Sequence, residues 1–158
     1  MARAGRSEGD EEVLREARHQ DAPLIARLHR AVVRECLPFL PELHTAEEDQ
    51  RFFADHFLSD HEVWVWDEGG ICGYCGFRPD WLSHLYVDPS AHGRGIGSSL
   101  LNKAKLSNDT LNLWVFQKNR AAIAFYERHG FCLAEQTDGE RNDEKEPDAR
   151  YVWRRMAK

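Results

Sequence analysis

The sequence predicts one α/β domain: a mixed central sheet of about seven strands flanked by about four helices. Two observations carry this. Short strand-like runs bounded by turn signals and longer stretches with apolar residues at helical spacing alternate along the chain. One strand, glycine-rich loop, helix and strand in succession, Leu82 to Phe116, has the length of a parallel crossover, right-handed by strong precedent, while neighbouring strands are joined by tight reversals. A chain of 158 residues with 42 % hydrophobic content supports one substantial core and is too short for two comfortable ones.

Taken in order, Met1 to about Asp10 is rich in Gly, Ser, Arg and acidic residues and is expected to be a disordered tail, leaving 11–158 as the domain. Val13 to Ala17 is the first strand. Asp21 is expected to cap a helix whose stripe, Leu24, Ile25, Leu28, Val32 and Val33, belongs in the core. Cys36 to His44 carries two prolines among apolar residues, so it reads as an irregular segment that either lines a pocket or packs as a lid. Thr45 and Glu48 make a capping box for a second helix through Phe52, Phe53 and Phe57.

Glu62 to Trp66, Ile71 to Phe77 and Leu82 to Val87 follow as an antiparallel meander, turned at Asp67–Gly70 and again at Arg78–Asp80. Ile96, Leu100, Leu101 and Ala104 mark the face of a third helix, and Leu111 to Phe116 alternates as a fifth strand. Asn119 caps a fourth helix, carrying Ala122, Phe125 and Tyr126, which Gly130 stops. Phe131 to Thr137 and Arg150 to Met156 form a final hairpin around a long acidic loop. The loop reads as a solvated face, with a role in selecting a cationic substrate as the alternative.

The net charge of −6 argues against nucleic acid as a partner and suits a cationic amine. No apolar run approaches a membrane span or a secretory signal, so a cytoplasmic protein without membrane contact is expected. Cys36, Cys72, Cys75 and Cys132 read as reduced and mostly buried thiols. Cys72 and Cys75 lie three apart in a strand and so face opposite sides, which is poor geometry for a shared metal; no metal is expected. A homodimer is the default expectation for oligomeric state.

The chemistry concentrates in Leu82 to Leu101. Gly93, Gly95 and Gly97 alternate where loop becomes helix, so main-chain N–H groups without helical acceptors and the positive end of the helix dipole meet in one volume, a site for an anion. Glycines kept only for close packing are the other reading. Gly97 is followed by Ser98 and Ser99 with no lysine, which disfavours a Walker loop, and Ser98 stands where the dinucleotide fingerprint needs its third glycine.

The run His92-Gly-Arg-Gly95-Ile-Gly97 after Val87-Asp88-Pro89 resembles motif A of the GNAT N-acetyltransferase superfamily, Gln/Arg-x-x-Gly-x-Gly/Ala, with His92 as the departure. A second stretch, Asn119 followed by Ala122, Phe125, Tyr126, Gly130 and Phe131, also resembles the family pattern. The resemblance implies an acetyltransferase with acetyl-CoA as cosubstrate. It implies that the main chain of Leu85, Tyr86 and Val87 holds the pantetheine arm and the acetyl carbonyl. It further implies that His92, Gly93, Arg94, Gly95, Ile96, Gly97 and Ser98 bind phosphate, that Asn119 contacts the arm, and that Tyr126 is the acid facing the leaving thiolate.

The glutamate that many family members use as base is missing, since the corresponding positions hold Trp81 and Trp114. His84 is the nearest alternative because imidazole titrates near neutrality, with a plain sheet-facing histidine as the other and favoured reading of that residue; Asp80, Glu42, His44 or water alone are the other candidates. The implied reaction is direct attack by a primary amine, of a small molecule, amino acid or peptide, in a ternary complex. A covalent acyl-cysteine route has no cysteine beside the proposed acid. A non-catalytic acyl-CoA sensor is the alternative that the missing carboxylates favour, and a longer acyl donor is a third reading.

Overall fold

Hairpin chemistry starts the sheet. In this computed structural model, which describes residues 13–157, β2 (Glu62–Asp67) and β3 (Ile71–Arg78) are joined by a turn in which Gly70 N–H bonds the Asp67 carboxylate at 3.0 Å. A second reversal at Asp80, whose φ is +67°, leads into β4 (Trp81–Val87). With β1 (Leu14–Glu16), β5 (Thr110–Phe116), β6 (Cys132–Gln136) and β7 (Asp148–Arg154) the sheet runs β1-β2-β3-β4-β5-β7-β6, all antiparallel except β4 beside β5. β7 inserts between β5 and β6, which leaves β6 at the edge with every residue exposed. The expected tail, residues 1–10, lies outside the described residues.

Four helices cover the two faces. α1 (Ala22–Cys36) and α2 (Ala46–Phe52, continued by a π-helical turn at Phe53–Phe57 and a last turn at Leu58–Asp60) lie on one side. There Ile25, Phe53, Phe57, Val65 and Tyr74 are almost fully buried. α3 (Ile96–Leu106) and α4 (Arg120–Arg128) lie on the other, where Leu100, Leu101, Leu111 and Leu113 form the second core. The capping box forms as read: Glu48 N–H donates to Thr45 Oγ1 at 3.1 Å, and Thr45 N–H to Glu48 Oε1 at 2.9 Å.

Three local readings are corrected. Leu24, expected in the core stripe of α1, is exposed at 45 %, on the side of the helix turned from the sheet. Asp21 precedes α1, but its carboxylate does not cap it. Asp21 closes a short 3-10 turn and faces backward, accepting from Arg18 N–H at 2.7 Å and from the Arg15 guanidinium at 2.9 Å, and Arg15 reaches Asp67 as well. The charged fork on β1 outcompetes the helix for that carboxylate. The cysteines are not mostly buried: only Cys75 is, its thiol pushed up to about 12 by burial, while Cys72 is partly covered and Cys36 and Cys132 are exposed. Cys36 ends a helix and Cys132 stands on the edge strand, where no layer covers it.

A bulge in β4 decides how the site is built. Gly76 pairs with His84 and Phe77 with Leu82, so Ser83 is the extra residue on β4. It reverses the alternation of the strand. Leu82 faces the α3 side, and beyond the bulge Leu85 and Val87 keep that side while His84 and Tyr86 turn to the α1 and α2 side. Gly76 lies opposite under the ring of Phe57, which also packs on His84 at 4.4 Å between centroids. A Cβ at position 76 would overlap that ring. Gly76→Ala should lower the unfolding free energy by about 1–3 kcal/mol through overpacking, read from urea unfolding, whereas Gly70→Ala, with nothing near its Cβ, should change it far less.

Candidate active site

β4 and β5 touch at one pair only, Trp81 with Asn112, where Asn112 N–H donates to the Asp80 carbonyl at 2.8 Å. Beyond it the strands part. β4 stays on β3, with Asp88 N–H on the Cys72 carbonyl at 2.8 Å, and β5 stays on β7 as far as Phe116. By the alternation of an antiparallel ladder, the main-chain groups of His84, Tyr86 and Asp88 face β3, so those of Leu85 and Val87 face the gap. The gap is a cavity of about 560 Å³, closed at the Trp81 end and opening toward the glycine loop.

The loop supplies the other end. Gly93 and Gly95 take φ of +80° and +78°, a region that L side chains rarely adopt, and open space surrounds both Cα atoms. Gly97 fits against the Phe125 ring, 3.4 Å from where a Cβ would stand. The first bond of α3 is Ser99 N–H to Gly95 carbonyl, 3.0 Å; among the described residues, no acceptor meets the N–H groups from Gly93 to Ser98. Consecutive free amides at a helix N-terminus form an anion cradle.

Eleven of the twelve expected site residues line this cavity. Arg94 does not: it points outward and pairs with Glu68 at 2.7 Å. His92 lines the cavity with both polar groups engaged, its main-chain N–H on the Pro89 carbonyl at 3.2 Å and its Nε2 2.9 Å from the Val87 carbonyl. Tyr86 brings its side chain rather than its main chain. Asn119 caps α4 by accepting from Ala122 N–H at 3.3 Å. Tyr126 is buried, and burial first, then Tyr86 and Cys75, pushes its phenol well above the ordinary value. Its hydroxyl has no protein partner, yet no sealed polar side-chain atom lacks one among the described residues, so the hydroxyl opens into the cavity.

On the opposite face of β4 lies a second cavity of about 900 Å³ between α1, α2 and the Cys36–His44 segment. His84, Tyr86, Leu37 and Phe116 line both cavities, so the two meet across β4. Glu144 of the acidic loop reaches this second rim, while Glu146 is buried and pairs with Lys118 at 2.8 Å. Of the base candidates, Glu42 is exposed and held below the usual carboxylate range by Arg34. Asp80 is exposed at the closed end of the gap, and His44 is exposed on the second rim. His84 alone stands where the cavities meet.

Sequence reasoning missed His84's partners. Tyr74 Oη lies 2.9 Å from Nδ1 of His84 and 2.9 Å from Nδ1 of His29, and the two imidazoles stack 5.2 Å apart. It also missed His129 and Arg128 beside the glycine loop. His129 Nδ1 bonds the Phe125 carbonyl at 2.8 Å, which fixes that nitrogen as the donor and makes Nε2 the acceptor of the Ser98 hydroxyl at 2.9 Å. The basic run Arg128-His129 before Gly130 was a signal available in the sequence. Among the described residues no three His, Cys, Asp or Glu side chains converge as a metal site.

The family model described as an acetyltransferase (GNAT) domain matches residues 59–132. A relative from Escherichia coli K12, named peptidyl-lysine N-acetyltransferase YiaC, is 30 % identical over 125 residues, covering 78 % of this chain and 85 % of its own. The solution structure of apo YjaB from Escherichia coli superposes with a TM-score of 0.73 at 20 % identity over 90 % of this chain and 97 % of that one. PaiA N-acetyltransferase from Thermoplasma acidophilum, solved in complex with coenzyme A, superposes at 0.70 with 18 % identity over 89 % and 97 %.

The imidazole pair sets a pH dependence. Burial pushes His29 down to about 4 against the pull of Asp49, and burial, then His29 and His61, holds His84 well below 6.5. Tyr74 and Tyr86, also packed on the pair, are neutral near pH 7. The unfolded chain binds protons below 6.5 that the fold refuses, so stability is full above that pH and declines as pH falls toward 4. Each histidine adds a slope of about 1.4 kcal/mol per pH unit in that window. Urea unfolding at pH 7 and pH 5 should show the loss, and His29→Gln should make it shallower; an unchanged slope in the variant would place the loss elsewhere.

Proposed function

Because this chain belongs to the GNAT acetyltransferase superfamily, we propose that it moves the acetyl group of acetyl-CoA to a primary amine by direct attack in a ternary complex, with a peptide amine, lysine first, as acceptor. One observation carries the reading. A gap with unpaired main-chain groups along one wall runs from an anion cradle to a junction with a second, wider cavity on the other face of the same strand. Two substrates that must meet without mixing their binding sites fit that plan.

In this reading the N–H groups from Gly93 to Ser98 hold the diphosphate, helped by the dipole of α3. Leu85 and Val87 pair with the pantetheine amides as an added strand, His92 yielding the Val87 carbonyl. The acetyl group then lies toward the bulge, where main-chain N–H groups of β4 stabilise the developing oxyanion. Attack forms the C–N bond, and collapse breaks the C–S bond and releases the thiolate of coenzyme A; the nitrogen gives up its extra proton, which passes through water to the pair of thiolate and Tyr126, so that a neutral amide and a free thiol leave. The Tyr126 hydroxyl, open to the cavity and protonated at neutral pH, donates to that sulfur. Its raised pKa makes it a weaker acid, but burial raises the thiol in the same cavity too, which narrows the gap between them.

The acceptor reading draws on the E. coli relative, which is named a peptidyl-lysine N-acetyltransferase. It also draws on the second cavity, whose rim sets Asp55 and Glu144 beside Arg51 and the acid-paired Arg30 and Arg34, with apolar Leu40, Leu43 and Phe52; its acids outnumber its arginines five to three, a lining that suits a cation on an aliphatic stem.

Release of coenzyme A thiol against pooled lysine peptides, free amino acids and small amines tests the function. Tyr126→Phe should bind acetyl-CoA as wild type does and lower kcat about tenfold or more; unchanged turnover would remove it as acid. Gly95→Val should weaken acetyl-CoA binding about tenfold or more, since a β-branched residue at that φ costs more than 1 kcal/mol before any contact with phosphate. Unaltered affinity would take the diphosphate away from this loop.

A further inference from the structure

We propose that His84, Tyr74 and His29 form a proton relay that takes the proton from the acceptor's ammonium group where the two cavities meet and passes it to water in the acceptor cavity. The inference rests on the acetyl-transfer reading above. An alkylamine is protonated near neutral pH and cannot attack a thioester until that proton is gone. The usual carboxylates are replaced by Trp81 and Trp114, and Glu42, Asp80 and His44 stand at the edges, so a group at the junction has to take it.

The geometry gives a continuous path. Tyr74 is fully buried, and among the described residues its hydroxyl's hydrogen-bond partners are the two Nδ1 atoms at 2.9 Å. A phenol has one proton, so Tyr74 donates to one imidazole and accepts from the Nδ1–H of the other. The two histidines therefore hold opposite tautomers, one with Nε2 bare and one with Nε2–H. Neither Nε2 has a protein partner, and no sealed polar side-chain atom goes unpaired among the described residues, so both reach open space. His84 lines both cavities and His29 only the acceptor cavity.

The transfer balances without any further group. At the start His84 carries its proton on Nδ1, Tyr74 donates to His29, and His29 carries its proton on Nε2. The ammonium gives a proton to His84 Nε2 while His84 Nδ1–H passes to the Tyr74 oxygen. The Tyr74 proton moves to His29 Nδ1, and His29 Nε2–H leaves to water. The amine is then neutral, every ring is neutral, and both tautomers have exchanged; once the product has left, the same bonds run in reverse, with His29 Nε2 taking a proton from water, His29 Nδ1–H passing to Tyr74, the Tyr74 proton passing to His84 Nδ1, and His84 Nε2–H leaving to water in the first cavity. Burial, which makes a lasting imidazolium costly, favours such a concerted shift over storing the charge, and Asp49 near His29 eases the moment of transfer at the exit.

The test uses Tyr74→Phe, which removes one hydroxyl and keeps the ring, with two nucleophiles: lysine-containing peptides, protonated at pH 7, and hydroxylamine, largely unprotonated there. The expected result is a fall in kcat of about ten- to a hundredfold for the peptides, an unchanged KM for acetyl-CoA, and little change with hydroxylamine. An equal loss with both nucleophiles, or no loss with the peptides, overturns the relay. Nitrogen-15 spectra of the histidine rings of the wild type at pH 7 should show opposite neutral tautomers for His29 and His84. Like tautomers, or a protonated ring, overturn the relay even where acetyl transfer is intact. No thiol release by wild type with any nucleophile overturns the acetyl-transfer reading and the relay with it; opposite tautomers in that case place the fault in the reaction and not in the chain of bonds.

Discussion

The single residue pair that joins β4 to β5 is the constraint on which the rest depends. A parallel strand in the middle of a sheet normally has both edges occupied, and leaving main-chain groups unpaired in an interior is costly unless something else pairs with them. Here Trp81 and Asn112 pin the strands at one end, and β3 and β7 hold them apart beyond it. The sheet stays cooperative because each strand keeps a full partner on its outer side. The free edge becomes a surface that another extended, amide-bearing molecule can satisfy.

The bulge at Ser83 turns that edge into a two-sided device. Without it, His84 and Tyr86 would share the face of Leu82, under α3, and Ser83, Leu85 and Val87 would take the α1 and α2 side of β4 in their place. With it, the aliphatic Leu85 and Val87 stay on the donor side, and the polar aromatics face the α1 and α2 layer. Gly76 is the necessary counterpart: only a residue without Cβ leaves room for Phe57, whose ring then packs on His84. One missing side chain on β3 and one extra residue on β4 thus position the only central candidate for handling the proton.

What was legible in the sequence is what local chemistry dictates. The Thr45 capping box, the Asp67–Gly70 turn, the glycine loop and the Asn119 cap each depend on residues within a few positions, and all seven strands and four helices follow from periodicity of the same range. The misses come from competition between neighbouring partners or from residues far apart in the sequence. Asp21 was drawn away from α1 by Arg15 and Arg18. Cys132 is exposed because β7, sixteen positions later in the sequence, inserts on one side only and leaves β6 at the edge. His29 and Tyr74 are 45 residues apart, and His84 joins them through a bulge that leaves no mark in the alternation of LSHLYV. The residues read from motif order, which encodes the crossover, line one cavity, whereas Arg94 points outward and pairs with Glu68.

The absence of a carboxylate at the junction has its own physical logic. The face that His84 shares with Phe53, Phe57 and Tyr86 is apolar, and a carboxylate placed there would itself be pushed toward neutrality by burial, losing the charge that makes it a base. A neutral imidazole suits such a place better, because it accepts a proton on one nitrogen while releasing one from the other. Its weakness is that a buried imidazolium is costly, and a lone histidine would stall with its proton. A second imidazole across a shared phenol removes that obstacle, since the charge never has to rest inside. The aromatic layer, which looks like plain core packing, is then what makes a two-histidine arrangement preferable to one acid.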